Sequence, residues 1–233
     1  MYVGRLHWRL LTWNLFHGRA VPPAGRELLA EFTAALGSWE WDAALLQEVP
    51  PWWPERLAAA LDADQRMVLT SRNSLLVLRR AIAIRRPDLI KSNGGGCDAI
   101  LVRRSAGWIS EYRARRLGLR PERRWVHGVR VQGVWICNLH AQADPEQAAL
   151  AASTTLSWAG SMPVALAGDF NLRTLELDGF RHVGGHGVDH AFVRGLEVVH
   201  PARALDHDGL SDHAPLLVTV RPPSSGPSTG QAS

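Results

Sequence analysis

Short apolar runs alternate along the chain with stretches in which apolar residues recur every three to four positions, so strands and amphipathic helices interleave. RLLTWNLF (9–16) reads as a strand. After Pro22 and Pro23, the spacing predicts a helix over about 25–36, with Leu28, Leu29, Phe32, Ala35 and Leu36 on one stripe. DAALLQEV (42–49) reads as a buried strand ending in polar groups, and PWWPERLAAAL (51–61) as a helix with prolines in its first turn. SLLVLRR (74–80), AIAIRR (81–86) and, after the glycine run NGGG (93–96), CDAILVRR (97–104) read as strands joined by turns. RWVHGVRVQGVWICNLH (124–140) reads as a hairpin turning near Gln132 and Gly133. A helix over 145–158 precedes PVALAGDFN (163–171), and VDHAFVRG, EVVH and HAPLLVTV are the last apolar pieces. HVGGHG (182–187) and LDHDG (205–209) read as loops. Because several strands follow one another as hairpins, the sheets are expected to be mixed.

Composition adds bounds to that picture. With 233 residues, 46% of them hydrophobic, the chain fits one α/β domain over residues 1–222, and residues 223–233, with little to bury, read as a disordered tail. The net charge is +4, but Lys91 is the single lysine; such an arginine skew fits a biased base composition as well as a polyanionic partner. Cys97 and Cys137 lack any CxxC spacing, so neither a zinc site nor a disulfide framework is indicated and a reduced, intracellular setting is expected. No stretch has signal-peptide character or membrane-spanning length. The expectation is a cytoplasmic monomer with no membrane contact.

Aligned by their C-terminal ends, the apolar runs deliver polar groups suited to metal or phosphate: Asn14, Glu48, His140, Asp169 with Asn171, Asp189, and Asp212 with His213. Each alone has a structural explanation as a turn former, cap or core histidine. In AGDFNLR (167–173), alternation along a strand and its extended exit puts Asp169 and Asn171 on one side and Phe170 in the packing. His190 falls on the opposite face from Asp189 and reads as packing. No GxSxG elbow is present, and NGGG is not followed by GK[ST], which argues against a serine hydrolase and a phosphate-cradling loop.

TWN (12–14), LLQEV (45–49), NLH (138–140), GDFN (168–171), VDH (188–190) and SDHAP (211–215), in this order, resemble the motif series of the endonuclease/exonuclease/phosphatase family. These metal-dependent hydrolases include deoxyribonuclease I, apurinic/apyrimidinic endonucleases, inositol-polyphosphate 5-phosphatases and neutral sphingomyelinases. The resemblance runs over residues 10–220. It implies a four-layer α/β sandwich, two mixed sheets face to face with helices outside and the site at one rim. It also implies a phosphoesterase that uses Mg²⁺ or Mn²⁺ and attacks with water in line, without a covalent intermediate.

By the same resemblance, Glu48 is the direct metal ligand, with Asn14 beside it and Asp212 as a second ligand, directly or through water. Asp169 would activate the attacking water, and Asn171 would hold that water or a phosphate oxygen. His213 would stabilise the transition state or transfer a proton, with Asp189 fixing its tautomer and favouring the cation. His140 would donate to phosphate or to the leaving oxygen. His17 either touches phosphate or is structural.

Nine arginines lie between 103 and 130. They form a solvated hairpin face or a phosphate-tracking surface, in which Arg123 and Arg124 would bind substrate. A phosphodiester substrate, most simply a nucleic acid, is therefore expected, with endo or exo action open. A phospholipid or inositol phosphate, or a binding module without chemistry, are the alternatives.

Overall fold

The computed structural model describes residues 7–70, 76–85, 87–90, 95–120 and 122–223. Two six-stranded sheets form the body. In chain order the strands are β1 (Trp8–Asn14), β2 (Ala43–Val49), β3 (Ala63–Leu69), β4 (Cys97–Arg103), β5 (Glu111–Gly118), β6 (Arg124–Val131), β7 (Val134–His140), β8 (Val164–Asp169), β9 (Arg181–His186), β10 (Asp189–Arg194), β11 (Glu197–Ala204) and β12 (Leu216–Arg221). The helices are α1 (Leu29–Ser38), α2 (Pro54–Ala60), α3 (Leu76–Arg85), α4 (Pro87–Ile90) and α5 (Pro145–Ala159). One sheet has the order β11-β12-β1-β2-β4-β3 and the other β5-β6-β7-β8-β10-β9. Each contains a single parallel pair, β1 with β2 and β7 with β8, and is otherwise antiparallel, so both are mixed as expected.

Strand alternation creates the layers. Trp8 and Leu10 of β1, Ala43 and Leu45 of β2, Ile136 of β7 and Ala165 and Ala167 of β8 meet between the sheets. The intervening Leu11, Trp13, Ala44 and Leu46 face outward and are covered by Phe32 and Leu36 of α1 and Leu57 of α2. On the other side Trp135, Cys137, Leu139 and Leu166 are covered by Ala148, Ala151 and Ala152 of α5, whose Asp144 N-cap accepts from the Glu146 N–H at 2.9 Å. This is the four-layer sandwich, with few helices in the outer layers. Both cysteines are free and buried.

The structure corrects several element readings. The run 76–85 is one helix, not two strands, because its VL, RR, AI and AI doublets never alternate and a pleat would send apolar and arginine side chains to both faces; residues 74, 75 and 86 of that reading lie outside the described residues. HVGGHG belongs largely to β9, paired with β10. The sequence reading also lacks β3 and β5, edge strands whose exposed polar residues, Arg66, Arg113, Arg115 and Arg116 among them, break the apolar pattern. Residues 224–233 of the expected tail lie outside the described residues. Among the described residues no helix is long and apolar enough to cross a membrane.

Candidate active site

The two parallel pairs end at the same rim. Register sets Asn14 beside Gln47 and His140 beside Asp169, and antiparallel pairing sets Asp189 opposite Asp169. Counting alternately from the inter-sheet core, Asn14, His140, Asp169 and Asp189 all fall on inner faces, and all are buried. Beneath them lies a polar layer. Gln47 Nε2 donates to Thr12 Oγ1 at 3.0 Å and, across the sheets, to Asn138 Oδ1 at 2.7 Å, while Asn138 Nδ2 donates to the carbonyls of Leu46 and Ala99. His127, 3.2 Å from Asn138, is pushed down to about 3 by complete burial and stays neutral. This layer fixes one sheet against the other directly under the rim.

Backbone irregularities aim the remaining side chains. Of eight non-glycine residues with positive φ among those described, Phe16, His17, Glu48, Asn171 and Ser211 cluster here. Simple alternation would send Glu48 outward with Leu46; a bulge between Leu46 and Val49 and a φ of 50° re-aim it, and its carboxylate stands 3.1 Å from His17 Nε2 and 3.9 Å from His140 Nε2. Ser211 donates to the Asn14 carbonyl at 2.6 Å and accepts from the His213 N–H at 3.1 Å, and the Trp13 indole donates to the His213 carbonyl at 2.8 Å. Thus TWN and SDH are clipped together. Gly168 is required by close approach, since a Cβ there would stand 1.9 Å from the Leu139 carbonyl oxygen of the adjacent strand.

Asp169 accepts from Asn14 Nδ2 at 3.0 Å and from the Asn171 N–H at 2.9 Å. Burial raises its pKa, against the opposing pull of His213, Asn14 and Asn171. Asn171 reaches this position by a left-handed turn after the strand, not by alternation, and its amide donates to the Ala141 carbonyl at 3.0 Å. Phe170 is fully buried on the outer side, as expected.

Asp189 and His213 form a 2.7 Å pair through Nδ1, leaving Nε2 4.0 Å from Asp169. Burial pushes the imidazole down, but the Asp189 hydrogen bond and the charges of Asp189, Asp169 and Asp212 outweigh it and hold His213 up at about 9. Burial lifts Asp189 to about 6 despite the His213 bond, so the pair is an ion pair between roughly those two values. His140 behaves oppositely. Burial, helped by Arg124, His17 and His213, drives it well below the usual histidine value, so it is a neutral imidazole that donates a hydrogen bond, not a proton.

Asn14, His17, Glu48, His140, Asp169, Asn171, Asp189 and His213 are therefore brought together, and Asp212 stands at their exposed edge, 3.9 Å from His213 Nε2. The Arg123–Arg124 pair is not brought in as a unit. Arg123 is exposed, whereas Arg124 is nearly buried, held near Glu122 at 3.4 Å, and its charge is felt by Asp98, His140 and Asp169. His190 packs against Phe170 and Phe192, facing away from Asp189.

Two residues escaped the sequence reading. Asp98 is fully buried, 3.8 Å from His140 Nδ1; burial raises its pKa well above the usual value, against the opposing pull of Arg124 and the Glu48 backbone. A carboxylate opening an apolar strand, in CDAIL, was the available signal. Arg19 stacks over the Phe16 ring at 3.6 Å, donates Nε to the Phe16 carbonyl and senses Glu48 and Asp212; burial lowers its pKa. It is returned to the rim by the Phe16–Gly18 turn, which no apolar pattern announces.

The donor set suits a hard divalent cation. Glu48 and Asp212 offer partly exposed carboxylates and Asn14 an amide oxygen that has one lone pair beyond the bond it accepts from the Phe16 N–H. Asp169, Asp189 and His213 also hold possible ligand atoms within 4.8 Å of one another, but Asp189 and His213 already bind each other, which fits proton chemistry better than ligation.

No curated protein matches the chain in sequence. Its fold matches an endonuclease/exonuclease/phosphatase from Beutenbergia cavernae DSM 12333 (17% identity, TM-score 0.66, covering 93% of this chain and 72% of that one). It also matches one from Bacteroides vulgatus (14%, 0.67, 93% and 99%) and D. rerio TDP2 complexed with single strand DNA product (16%, 0.62, 92% and 99%). At such identities these likenesses speak to fold alone. The model of the Endonuclease/Exonuclease/phosphatase family matches residues 11–213, spanning every motif at the rim, and the chain belongs to that family.

Proposed function

We propose that the protein is a metal-dependent phosphodiesterase, with nucleic acid as the leading substrate class. One observation carries this reading: Glu48, Asp169 and the Asp189–His213 pair, drawn from both sheets, meet around His140 within 4.0 Å steps. Membership in a family of phosphoester hydrolases gives the reaction class.

An anionic phosphorus centre repels nucleophiles, and a Mg²⁺ or Mn²⁺ ion held by Glu48, with Asn14 and Asp212, would neutralise that charge. The protein's own groups supply the rest. Asp169, made more basic by burial and oriented by Asn14 and Asn171, accepts the proton of the attacking water. The Asn171 side-chain oxygen accepts from that water, its nitrogen being held by Ala141. His213, cationic through Asp189, donates to the phosphoryl oxygens as charge builds on them. Neutral His140, protonated on Nε2, donates a further hydrogen bond, and His17 stands against the Glu48 carboxylate. Arg19 is the cation on the open side, suited to a phosphate oxygen.

Support for a polyanionic substrate comes from the end of the β5–β6 hairpin beside His140, where Arg116, Arg120 and Arg123 are exposed, and from the DNA product held by the structurally similar TDP2. The test is hydrolysis of bis(p-nitrophenyl) phosphate and of single- and double-stranded DNA with Mg²⁺ or Mn²⁺. Turnover that stops with chelator and returns with metal is expected; full turnover in excess chelator would remove the metal-dependent reading.

A further inference from the structure

The connection from β3 to β4 leaves and re-enters the fold at the site's rim: the Thr70 N–H donates to the Gly96 carbonyl at 3.0 Å, and Gly96 backs onto His17. From there α3 and α4 project. Ala83 and Pro87 are buried, Arg80 lies over Trp52 at 5.9 Å, and Asp88 accepts from the Gly25 N–H at 2.7 Å, tying the projection down. Its outward side is apolar. Val77 is 87% exposed, Leu78 59%, Ile82 37% and Leu89 73%. At about 100° per residue, Val77, Leu78, Ala81, Ile82 and Arg85 span about 140° of the α3 surface, opposite Ala83.

A soluble helix normally turns such a stripe inward. Here it is turned outward, with arginines 79, 80 and 85 on the same helix and Asp88 as the acidic residue of the two helices. Three occupants differ in how they meet that chemistry. A second copy related by a twofold axis would bury the Arg85 side chain of each stripe in the shared interface, with Asp88, the acidic residue of the two helices, already engaged. A nucleic acid would use the arginines but gain nothing from aliphatic side chains, since residues 76–90 contain no aromatic ring on which a base could stack. An anionic bilayer uses both, taking aliphatic tips among its acyl chains while guanidinium groups reach lipid phosphates.

We propose that the α3–α4 projection seats the protein on an anionic lipid surface, with Val77, Leu78, Ile82 and Leu89 entering the interface and the mouth of the site beside it. This contact does not depend on which phosphodiester the site hydrolyses. It departs from the expectation of no membrane contact, which rested on the lack of a signal-peptide or membrane-spanning stretch and did not foresee an exposed apolar helix side at 76–85.

The direct test is vesicle sedimentation with phosphatidylcholine alone and with equal parts phosphatidylcholine and phosphatidylglycerol, comparing the unaltered chain with a V77S/L78S/L89S variant. These side chains face solvent, so the variant is expected to keep its melting temperature and gel-filtration position. The unaltered chain should sediment with the anionic vesicles only, the variant should bind at least about tenfold more weakly, and R85Q should bind a few-fold more weakly. Three results would overturn the proposal: no sedimentation, equal sedimentation of the triple variant, or a dimer in the unaltered chain that the triple variant dissolves. Loss of oligonucleotide binding in the triple variant, without loss of vesicle binding, would equally reassign the surface to nucleic acid.

Discussion

The parallel pairs β1/β2 and β7/β8 are the same device used twice: two strands joined by a crossover, ending together at the rim, with their inner-face residues aimed at the site. They finish differently. The first pair ends in Glu48, re-aimed by a bulge and partly open to solvent, beside His17 and Arg19. The second ends in His140 and Asp169, both buried, with pKa values displaced in opposite directions by that burial. An open carboxylate keeps its charge available to a cation that arrives with its own waters, whereas a buried one becomes a stronger base. One construction thus yields a place for a metal on one sheet and a place for proton transfer on the other.

The largest effect that would break this division is expected from His213→Ala and Asp169→Asn, each lowering turnover by roughly a thousandfold or more while the melting temperature stays within a few degrees. Near-normal steady-state rates in Asp169→Asn would remove the second sheet's role, and in His213→Ala that of the pair it forms with Asp189. Glu48→Gln should lower activity by about a hundredfold at low metal, and part of the loss should be recovered as Mg²⁺ is raised. A loss independent of metal concentration would place Glu48 elsewhere in the chemistry.

Stability sharpens the comparison at smaller scale. Gly168→Ala must push β8 away from the Leu139 carbonyl and should destabilise by about 2–4 kcal/mol in denaturant titration. Asn138→Ala, which removes the acceptor that Gln47 reaches across the sheets and the donor to the buried Leu46 and Ala99 carbonyls, should destabilise by about 1–3 kcal/mol and loosen the rim.

The proton inventory gives the finest test. In metal-free protein the His213 ring should titrate near 9 by NMR, and Asp189→Asn should bring it down toward the ordinary histidine range. The sign follows from linkage: a folded pKa above the unfolded value means this proton stabilises the fold fully below about pH 6.5, and the contribution is lost as pH rises through about 9. A titration unmoved by Asp189→Asn would mean that Asp189 does not hold the proton there.

Much of the site was legible because its residues end strongly apolar strands. TWN, LLQEV, NLH and GDFN each close a buried run, so direction and face followed from alternation. What alternation does not reach has another physical origin. Glu48, Asn171 and Arg19 depend on left-handed turns and a bulge, whose side-chain directions alternation does not give. Asp98 acts through burial, and Arg124 through an inward turn beside an exposed Arg123. The edge strands β3 and β5 lack the one-sided apolar pattern from which elements are read, and α3, whose apolar residues come as doublets, turns its stripe to solvent.

Metal affinity measured separately from turnover tests the division between the sheets most directly, using Mn²⁺ binding to the unaltered chain, Glu48→Gln and Asp169→Asn. Glu48→Gln should weaken Mn²⁺ binding by at least about tenfold, while Asp169→Asn should bind Mn²⁺ within about threefold of the unaltered chain yet turn over at least about a thousandfold more slowly. Equal loss of Mn²⁺ affinity in both variants would show that the two carboxylates hold one ion together, and the assignment of cation and base to opposite sheets would be wrong.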